Sequence, residues 1–252
     1  MKHILTSGSL AIAVLFCAAP AVAQTADEIV EKHLAAIGGR AALEKLTSQV
    51  ATGTVSISTQ AVSLPGTIEV SRKAPNKSRT LMTLDLSSVG ATEMMVVDQR
   101  CDGTAAWVRN SMQGDRDITG NQLQGMLNNS FPSPLLTYKS AGGKVELAGK
   151  DKVGDRPVFV LLHTPKAGAA LRYFIDADTY HLLKSVTTVD LGEAGGQAEQ
   201  TSEPRDYRAV DGIQIPFSVT MTNPAQAVTI TLSRIEFNKP LDDAIFAKPG
   251  VK

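Results

Sequence analysis

The feature that most constrains the fold is a pair of alternating segments near the C-terminal end of the sequence. Apolar and polar residues exchange at every position from 213 to 222, and again from 228 to 233. The apolar positions are Ile213, Ile215, Phe217, Val219 and Met221, then Val228, Ile230 and Leu232. A period of two puts each set on one face of a β-strand. Asn223-Pro224-Ala225-Gln226 between them is typical of a turn, so the pattern predicts an antiparallel hairpin with one apolar face.

The same signal predicts strands over most of the remaining chain. The predicted strands lie around residues 55–57, 68–70, 82–86, 91–101, 105–108, 145–147, 158–163, 171–176 and 182–189, with a polar strand through Tyr207. Most links between them are hairpin-sized, and Asp102-Gly103 is a strong hairpin-turn dipeptide. The sequence therefore predicts a long antiparallel meander.

Two irregularities in the pattern predict that the sheet curls. The apolar phase changes between Leu232 and Ile235, which predicts a β-bulge near Ser233-Arg234. Residues 158–162 are apolar without interruption, so we expect both faces of that strand to be covered. A sheet that is covered on both faces in its middle and on one face at its end is expected to wrap around something.

Helical patterns occur at the start of this region and once within it. Thr25 and Glu28 have the capping-box spacing, and apolar residues at helical spacing run to Ile37, followed by a short helix at 40–46. Within the meander, the segment 118–131 is predicted to be one amphipathic helix that ends before Pro132. Its apolar stripe comprises Leu123, Met126, Leu127 and Phe131.

The first 23 residues have the form of a secretory signal peptide. Lys2 precedes an apolar run from 10 to 19, and Ala21-Val22-Ala23 fits a cleavage site. The run is too short to span a bilayer. We therefore expect cleavage after Ala23, secretion as a soluble protein, and one domain over 24–252.

Composition excludes several classes of function. The chain has 25 basic and 25 acidic residues, so loss of Lys2 leaves a net charge near −1 and nothing suggests nucleic acid as a partner. Cleavage would also remove Cys17 and leave Cys101 alone, which excludes an internal disulfide. We predict that Cys101 is a small buried apolar residue.

No motif in the sequence carries catalytic or metal chemistry. His163 and His181 are predicted to lie two strands apart, too far to share one ion, and no Cys-x-x-Cys or Gly-x-Ser-x-Gly occurs. We therefore expect no cofactor, no metal and no enzymatic activity. The alternative of an enzyme with a dispersed site stays open.

The residues instead indicate a curved apolar face under an amphipathic helix. The methionines at 82, 94, 95, 112 and 126 are candidates for its interior, because Met adapts to irregular contents. The functional interpretation is a lidded apolar cavity that holds acyl chains, and plain packing of the helix on the sheet is the alternative. The predicted cavity and lid residues are Met82, Leu84, Met95, Trp107, Leu123, Met126, Leu127, Phe131 and Phe217.

Several short stretches of the sequence are typical of one family. They are Gly38-Gly39-x-Ala41-x-Leu43-x-x-Leu46, Ile68-Glu69-Val70-Ser71-Arg72-Lys73-Ala74-Pro75, Met94 to Val97 with Asp102-Gly103-Thr104-Ala105-Ala106-Trp107, Phe174-Ile175-Asp176, and Phe246-x-x-Pro249. With them the sequence resembles the LolA/LolB-type periplasmic lipoprotein carriers and their outer-membrane lipoprotein-sorting-protein-like relatives. The resemblance implies a mainly β fold with a few helices: an open half-barrel whose apolar concave face is covered by an N-terminal and an inserted helix.

The resemblance also implies a function. It implies a monomeric periplasmic carrier of lipid or lipidated protein, with acyl chains as ligand and a membrane-bound donor or acceptor protein as a possible partner. In the best-studied carriers an arginine directly before the proline helps to hold the lid closed. Ala74 has that place here, and Lys73 and Arg72 lie one and two residues earlier. Arg72 is the candidate latch, and which of the two side chains faces the cavity stays open, since a shift of one residue exchanges the faces of a strand. The alternative is an envelope signalling or scaffold module of the same fold that binds a protein.

Overall fold

The first and last strands of the protein lie side by side in the middle of one antiparallel sheet. The computed structural model describes residues 24–190 and 196–248, and within them it has 13 strands. These strands are β1 (Ser48–Ser58), β2 (Ser63–Lys73), β3 (Lys77–Asp85), β4 (Met94–Cys101), β5 (Ala106–Asn110), β6 (Gly114–Ile118), β7 (Lys144–Val153), β8 (Arg156–Thr164), β9 (Leu171–Asp176), β10 (Leu182–Asp190), β11 (Gln197–Val210), β12 (Ile213–Thr222) and β13 (Ala227–Phe237).

The sheet consists of two meanders joined at this central pair. Its order is β6-β5-β4-β3-β2-β1-β13-β12-β11-β10-β9-β8-β7. We call these meanders, β1 to β6 and β7 to β13, the two wings. Within each wing, strands that are neighbours in the sheet are also neighbours in sequence, which confirms the predicted meander and the C-terminal hairpin. The pairing of β1 with β13 was not predicted. The edges of the sheet are β6 and β7, and the segment 119–143 crosses from one edge to the other.

Four α-helices accompany the sheet in the described residues. They are α1 (Ala26–Ala36), α2 (Arg40–Leu43), α3 (Gly120–Asn128) and α4 (Pro134–Thr137). The predicted capping box is confirmed, because the amide of Glu28 donates to Thr25 Oγ1 at 3.2 Å and the amide of Thr25 donates to Glu28 Oε2 at 2.9 Å. The second helix ends at Leu43, earlier than the predicted 46.

The main core lies between one face of the sheet and helices α1, α2 and α4. Ile29, Leu34 and Leu43 of the helices are almost fully buried there. Their partners on the sheet are Ala51, Phe159, Leu161, Tyr173, Ile175, Ile213, Phe217, Ile235 and Phe237. We call the face of the sheet that carries these residues the inner face and the opposite one the outer face.

The structure confirms the predicted bulge and the two-sided strand. Thr52 pairs with Arg234 but Gly53 pairs with Leu232, so Ser233 is the extra residue. A side chain at Gly53 would clash with the carbonyl of Thr231, which explains why glycine lies opposite the bulge. In β8, Phe159 packs in the main core, while Val158 packs with Phe174 and Val186 on the outer face.

The sheet is curled, as helix α3 demonstrates. On one side α3 packs on β4, β5 and β6, and on the other side it contacts β10. In a flat sheet β5 and β10 would lie about 38 Å apart, at about 4.8 Å per strand. A nine-residue helix is only about 13 Å long. The two wings therefore curve toward each other into an open half-barrel, as predicted.

The predicted helix at 118–131 is too long at both ends. Ile118 ends β6, and Phe131 lies beyond α3 and packs in the main core. The error at the N-terminal end has a physical cause, since β6 reads Gly-Asp-Arg-Asp-Ile and its first four residues are exposed. An edge strand exposed on both faces has no apolar alternation to show.

The predicted signal peptide at 1–23 and Pro249 lie outside the described residues. Within the described residues, none of the helices is long and apolar enough to cross a membrane.

Candidate functional site

The inner face carries an apolar surface that the helices of the main core leave uncovered. Val55, Ile68 and Leu84 form its centre and are almost fully buried. Partly exposed residues surround them: Ile57, Val70, Met82, Met95, Val228 and Ile230. We call these nine residues the apolar floor. Cross-strand pairs connect it, since Ile68 lies opposite Met82 and Leu84 opposite Met95. The surface can bury more apolar area if another molecule covers it.

Helix α3 packs against the β4–β6 wall beside the apolar floor. Leu123, Met126 and Leu127 contact a small cluster on that wall formed by Cys101, Ala106, Val108 and Ile118. Two polar contacts add to it: Gln99 Nε2 lies 3.2 Å from the sulfur of Met126, and Asn76 Nδ2 donates to the carbonyl of Leu127 at 3.4 Å. The predicted apolar stripe of the helix thus faces the sheet.

The same helix is tied to the opposite wing of the sheet. Asn128 Nδ2 donates to the carbonyl oxygen of Ala167 at 2.7 Å, in the loop between β8 and β9. The next residue of that loop, Gly168, lies so close to α3 that a Cβ there would be 2.9 Å from Cβ of Gln124. Helix α3 therefore bridges the mouth of the half-barrel.

Helix α3 is less buried than the residues that flank it in the sequence. All nine residues of α3 are described, and none is buried. Thr119 at its N-terminus provides no side-chain cap. By contrast, Ile118 and Phe131 on either side are 2% and 4% exposed, and the amide of Phe131 donates to the carbonyl of Pro75 at 2.7 Å. The segment 119–130 is thus a lightly held cover between two fixed points.

Arg72, the candidate latch, lies on the inner face. It is in register with Gln49 and Ser78, and Val70 and Ile68 precede it at alternate positions of β2. Lys73 points to the outer face, where its Nζ contacts the carbonyl of Leu241 and the carboxylate of Asp243, each within 3 Å. Arg72 forms no hydrogen bond with α3. The described side-chain hydrogen bonds in the C-terminal half of the helix involve Asn76, Gln99 and Asn128.

The structure separates the other predicted cavity residues into groups. Met82, Leu84 and Met95 belong to the apolar floor, and Leu123, Met126 and Leu127 belong to the cover. Phe131 and Phe217 are buried in the main core, where the guanidinium of Arg208 lies 4.5 Å from the ring centroid of Phe217.

Trp107 lies apart from all of these. Ala106 and Val108, its neighbours in β5, pack against α3, so alternation places Trp107 on the outer face. Its register partners there are Arg100 and Asp117.

Sequence reasoning missed part of the apolar floor as a site. Val55, Ile57, Ile68, Val228 and Ile230 were recognised as strand residues, yet the signal that unites them is the pairing of β1 with β13. In that register Val55 lies opposite Ile230 and Ile57 opposite Val228.

His163, His181 and Cys101 lie in three separate environments. His163 and His181 pack against aromatic rings, and burial lowers the pKa of both, so each is neutral at pH 7. Burial likewise raises the pKa of the Cys101 thiol, which is fully buried as predicted. Among the described residues, no cluster of His, Cys, Asp and Glu could hold a metal ion.

Comparison with known proteins finds similarity at the level of structure. No protein-family model and no curated protein matches the chain. A LolA superfamily protein from Nitrosomonas europaea superposes with a TM-score of 0.59 at 15% identity, over 90% of this chain and 99% of that one. An outer membrane lipoprotein-sorting protein domain from Vibrio parahaemolyticus gives 0.56 at 13% identity, over 88% and 95%. A DUF1329 family protein from Desulfovibrio piger gives 0.57 at 14% identity, over 88% and 97%.

Proposed function

The chain has a LolA-like fold, and we propose on that basis that it is a periplasmic carrier of lipid or lipidated protein. The acyl chain would lie on the apolar floor, under α3. The observation that carries the proposal is the combination of a partly exposed apolar floor with a helix that spans the mouth of the half-barrel and buries none of its own residues.

Energetics supports a non-covalent carrier. Burial of an acyl chain contributes about 0.8 kcal/mol per CH₂ group. Ordering the chain and displacing α3 oppose this gain. The contacts of α3 are one small apolar cluster and a few exposed or partly buried hydrogen bonds, so displacement costs much less than unfolding the protein. A cargo held under a firmly fixed helix could not leave. A low cost of displacing α3 is therefore required for release of the cargo to an acceptor.

The predicted signal peptide supports the assignment to the periplasm. A carrier that works there meets its cargo at a membrane, so a membrane-bound donor or acceptor protein would be its partner. The proposal assigns the protein no chemical step.

Native mass spectrometry of protein purified from the periplasm tests the proposal. We expect a bound lipid, or uptake of added hexadecanoate, phospholipid or a lipidated peptide after delipidation. Protein that is repeatedly free of lipid and ignores all three additions would overturn the proposal. Purification of a stoichiometric protein partner without lipid would favour the alternative of a signalling or scaffold module.

A further inference from the structure

Arg72 is exceptional among the arginines of the described residues. It has neither a hydrogen bond nor an ion pair. Nine others pair with a carboxylate, and Arg116 donates to the side chain of Gln122 at 3.2 Å. The nine are Arg40, Arg79, Arg100, Arg109, Arg156, Arg172, Arg205, Arg208 and Arg234. A guanidinium has five N–H donors, and those of Arg72 are left to water or to a ligand.

The surroundings of Arg72 are enclosed and polar but uncharged. Burial lowers the pKa of its guanidinium, and no neighbouring carboxylate opposes that effect. Part of its side-chain surface nevertheless remains accessible, so it borders a space inside the half-barrel. Gln49 and Ser78 lie opposite it on the neighbouring strands, Thr80 lies diagonally across, and Gln99 lies beyond Thr80 on β4. They can donate hydrogen bonds to an anion but cannot neutralise a cation.

In the wing that contains Arg72, the acidic side chains lie on the outer face of the sheet. Strand alternation places Asp98, Asp115 and Asp117 on the outer face, each paired with a basic residue. The register places no carboxylate on the inner face of β1 to β6, where Arg72 and Arg116 are the charged residues. Helix α3, which covers this wing, has the sequence Gly-Asn-Gln-Leu-Gln-Gly-Met-Leu-Asn and no charge. The interior of this wing is therefore net positive.

We propose that Arg72 binds a single anionic group, a carboxylate or a phosphate, at the head of the acyl cargo. This inference rests on the proposed carrier function and specifies the cargo as an anionic amphiphile. An enclosed charge without a partner is costly, and a ligand anion would remove that cost. The position suits such a ligand. Val70 and Ile68 precede Arg72 on the same face of β2 and belong to the apolar floor. An acyl chain attached to the anion would therefore continue onto that floor.

The test compares ligands that share a chain and differ in the head group. Delipidated protein is titrated with hexadecanoate and with hexadecanol, and then with phosphatidylglycerol and with the matching diacylglycerol. Binding is followed by calorimetry and native mass spectrometry. We expect the protein to prefer the anionic member of at least one pair by about 10- to 100-fold, the range for a charge-assisted hydrogen bond. The pair that shows the preference identifies carboxylate or phosphate as the source.

Variants assign the preference to Arg72. Arg72→Met keeps an unbranched, flexible stem and removes the guanidinium and its charge, so we expect it to fold and to bind both members of the pair equally. Arg72→Lys should keep part of the preference. Lys73→Met, the matched control on the outer face, should keep all of it.

Three outcomes would overturn the inference. Equal binding of acid and alcohol by the unmodified protein would refute it and leave the carrier function standing. An undiminished preference in Arg72→Met would also refute it, since another group would then hold the anion. Failure to bind any of the four ligands would refute the carrier function as well. Circular dichroism of Arg72→Met confirms that the variant is folded before its result is used.

Discussion

Asn128, the last residue of α3, donates a hydrogen bond of 2.7 Å to the carbonyl oxygen of Ala167, on the far side of the half-barrel. The two residues belong to different wings of the sheet. The bond links a helix packed on the β4–β6 wall to the loop between β8 and β9. It is the contact whose loss would most directly free the cover without touching the core.

Removal of this bond should loosen α3 and leave the rest of the protein unchanged. In Asn128→Ala we expect the amides of α3 to exchange hydrogen about two- to fivefold faster, because an exposed hydrogen bond contributes about 0.5–1 kcal/mol net. Hydrogen exchange with mass spectrometry measures the effect. Asn129→Ala is the control, since Asn129 is exposed and its side chain has no described partner. Equal exchange in both variants would show that the bond does not hold the helix.

A disulfide should lock the cover reversibly. Gln124 and Gly168 are close enough for one, because a Cβ at Gly168 would lie 2.9 Å from that of Gln124 and a disulfide spans about 3.8 Å. The loop must therefore retreat by about 1 Å. The φ of +92° at Gly168 strains any side chain there, so circular dichroism of the Gly168→Cys variant must first show that it folds. In a Cys101→Ala background, the oxidised Gln124→Cys, Gly168→Cys variant should take up acyl ligands far more slowly than its reduced form. The two single variants serve as controls. Rapid loading of the locked protein would exclude α3 as the entrance.

Two residues of the apolar floor should differ in whether their replacement affects stability or ligand binding. Leu84 is fully buried, so Leu84→Ala should lower the free energy of unfolding by about 2–4 kcal/mol. Met82 beside it is partly exposed, so Met82→Gln should change stability by less than about 1 kcal/mol.

Acyl binding should depend on Met82, although replacement of this residue costs little stability. Met82→Gln should weaken acyl binding about tenfold, since a polar group would then face the chain. Leu81→Gln, one position away on the outer face, should leave binding unchanged. Denaturant titration and calorimetry give the two quantities. Similar affinity in the Met82 and Leu81 variants would place the cargo elsewhere.

Asp98 should make part of the stability depend on pH. It is 6% exposed on the outer face, and Arg79 and Arg100 both hydrogen-bond its carboxylate at 2.6–3.1 Å. Burial raises its pKa, but the hydrogen bonds and charges of the two arginines outweigh burial, so the net pKa lies below the ordinary value of 3.8. The stabilisation is therefore complete above pH 3.8 and is lost as the pH falls through the folded-state pKa.

Replacement of Asp98 tests this coupling. Asp98→Asn should lose about 2–4 kcal/mol at pH 7, because two guanidinium groups would lose their counter-charge. Its free energy of unfolding should also fall less steeply below pH 4 than that of the parent. Asp115→Asn removes an exposed pair on the same face and should cost at most about 1 kcal/mol. Parallel acid titrations of Asp98→Asn and the parent would show that another carboxylate governs the acid response.

Features that depend on a few adjacent residues could be predicted from the sequence. The capping box of Thr25 and Glu28 is one example, and the bulge at Ser233 is another, because a change of alternation needs one extra residue. Whether Arg72 or Lys73 faces the interior stays open in the sequence and depends on the register of β2 with β1. That Arg72 has no partner could not be predicted, since it depends on every segment that packs around it.

The remaining features depend on which distant segments meet. Nothing local indicates that β1 pairs with β13, and the apolar floor exists only through that pairing. Trp107 illustrates a second limit. Ala105 to Val108 are all apolar, so alternation cannot assign a face until the contacts of Ala106 with α3 are known. The β6 strand illustrates a third limit, because an edge strand that is exposed on both faces shows no alternation of apolar and polar residues.

The central pairing of β1 with β13 also determines how this protein can be made. Each wing joins strands that are adjacent in sequence and can assemble early, whereas β1 must wait for β13, the last of the described strands. Until β13 is in place, one side of β1 is an unpaired edge in the middle of the sheet that can pair with another chain. A chaperone that binds β1 during folding would prevent that pairing.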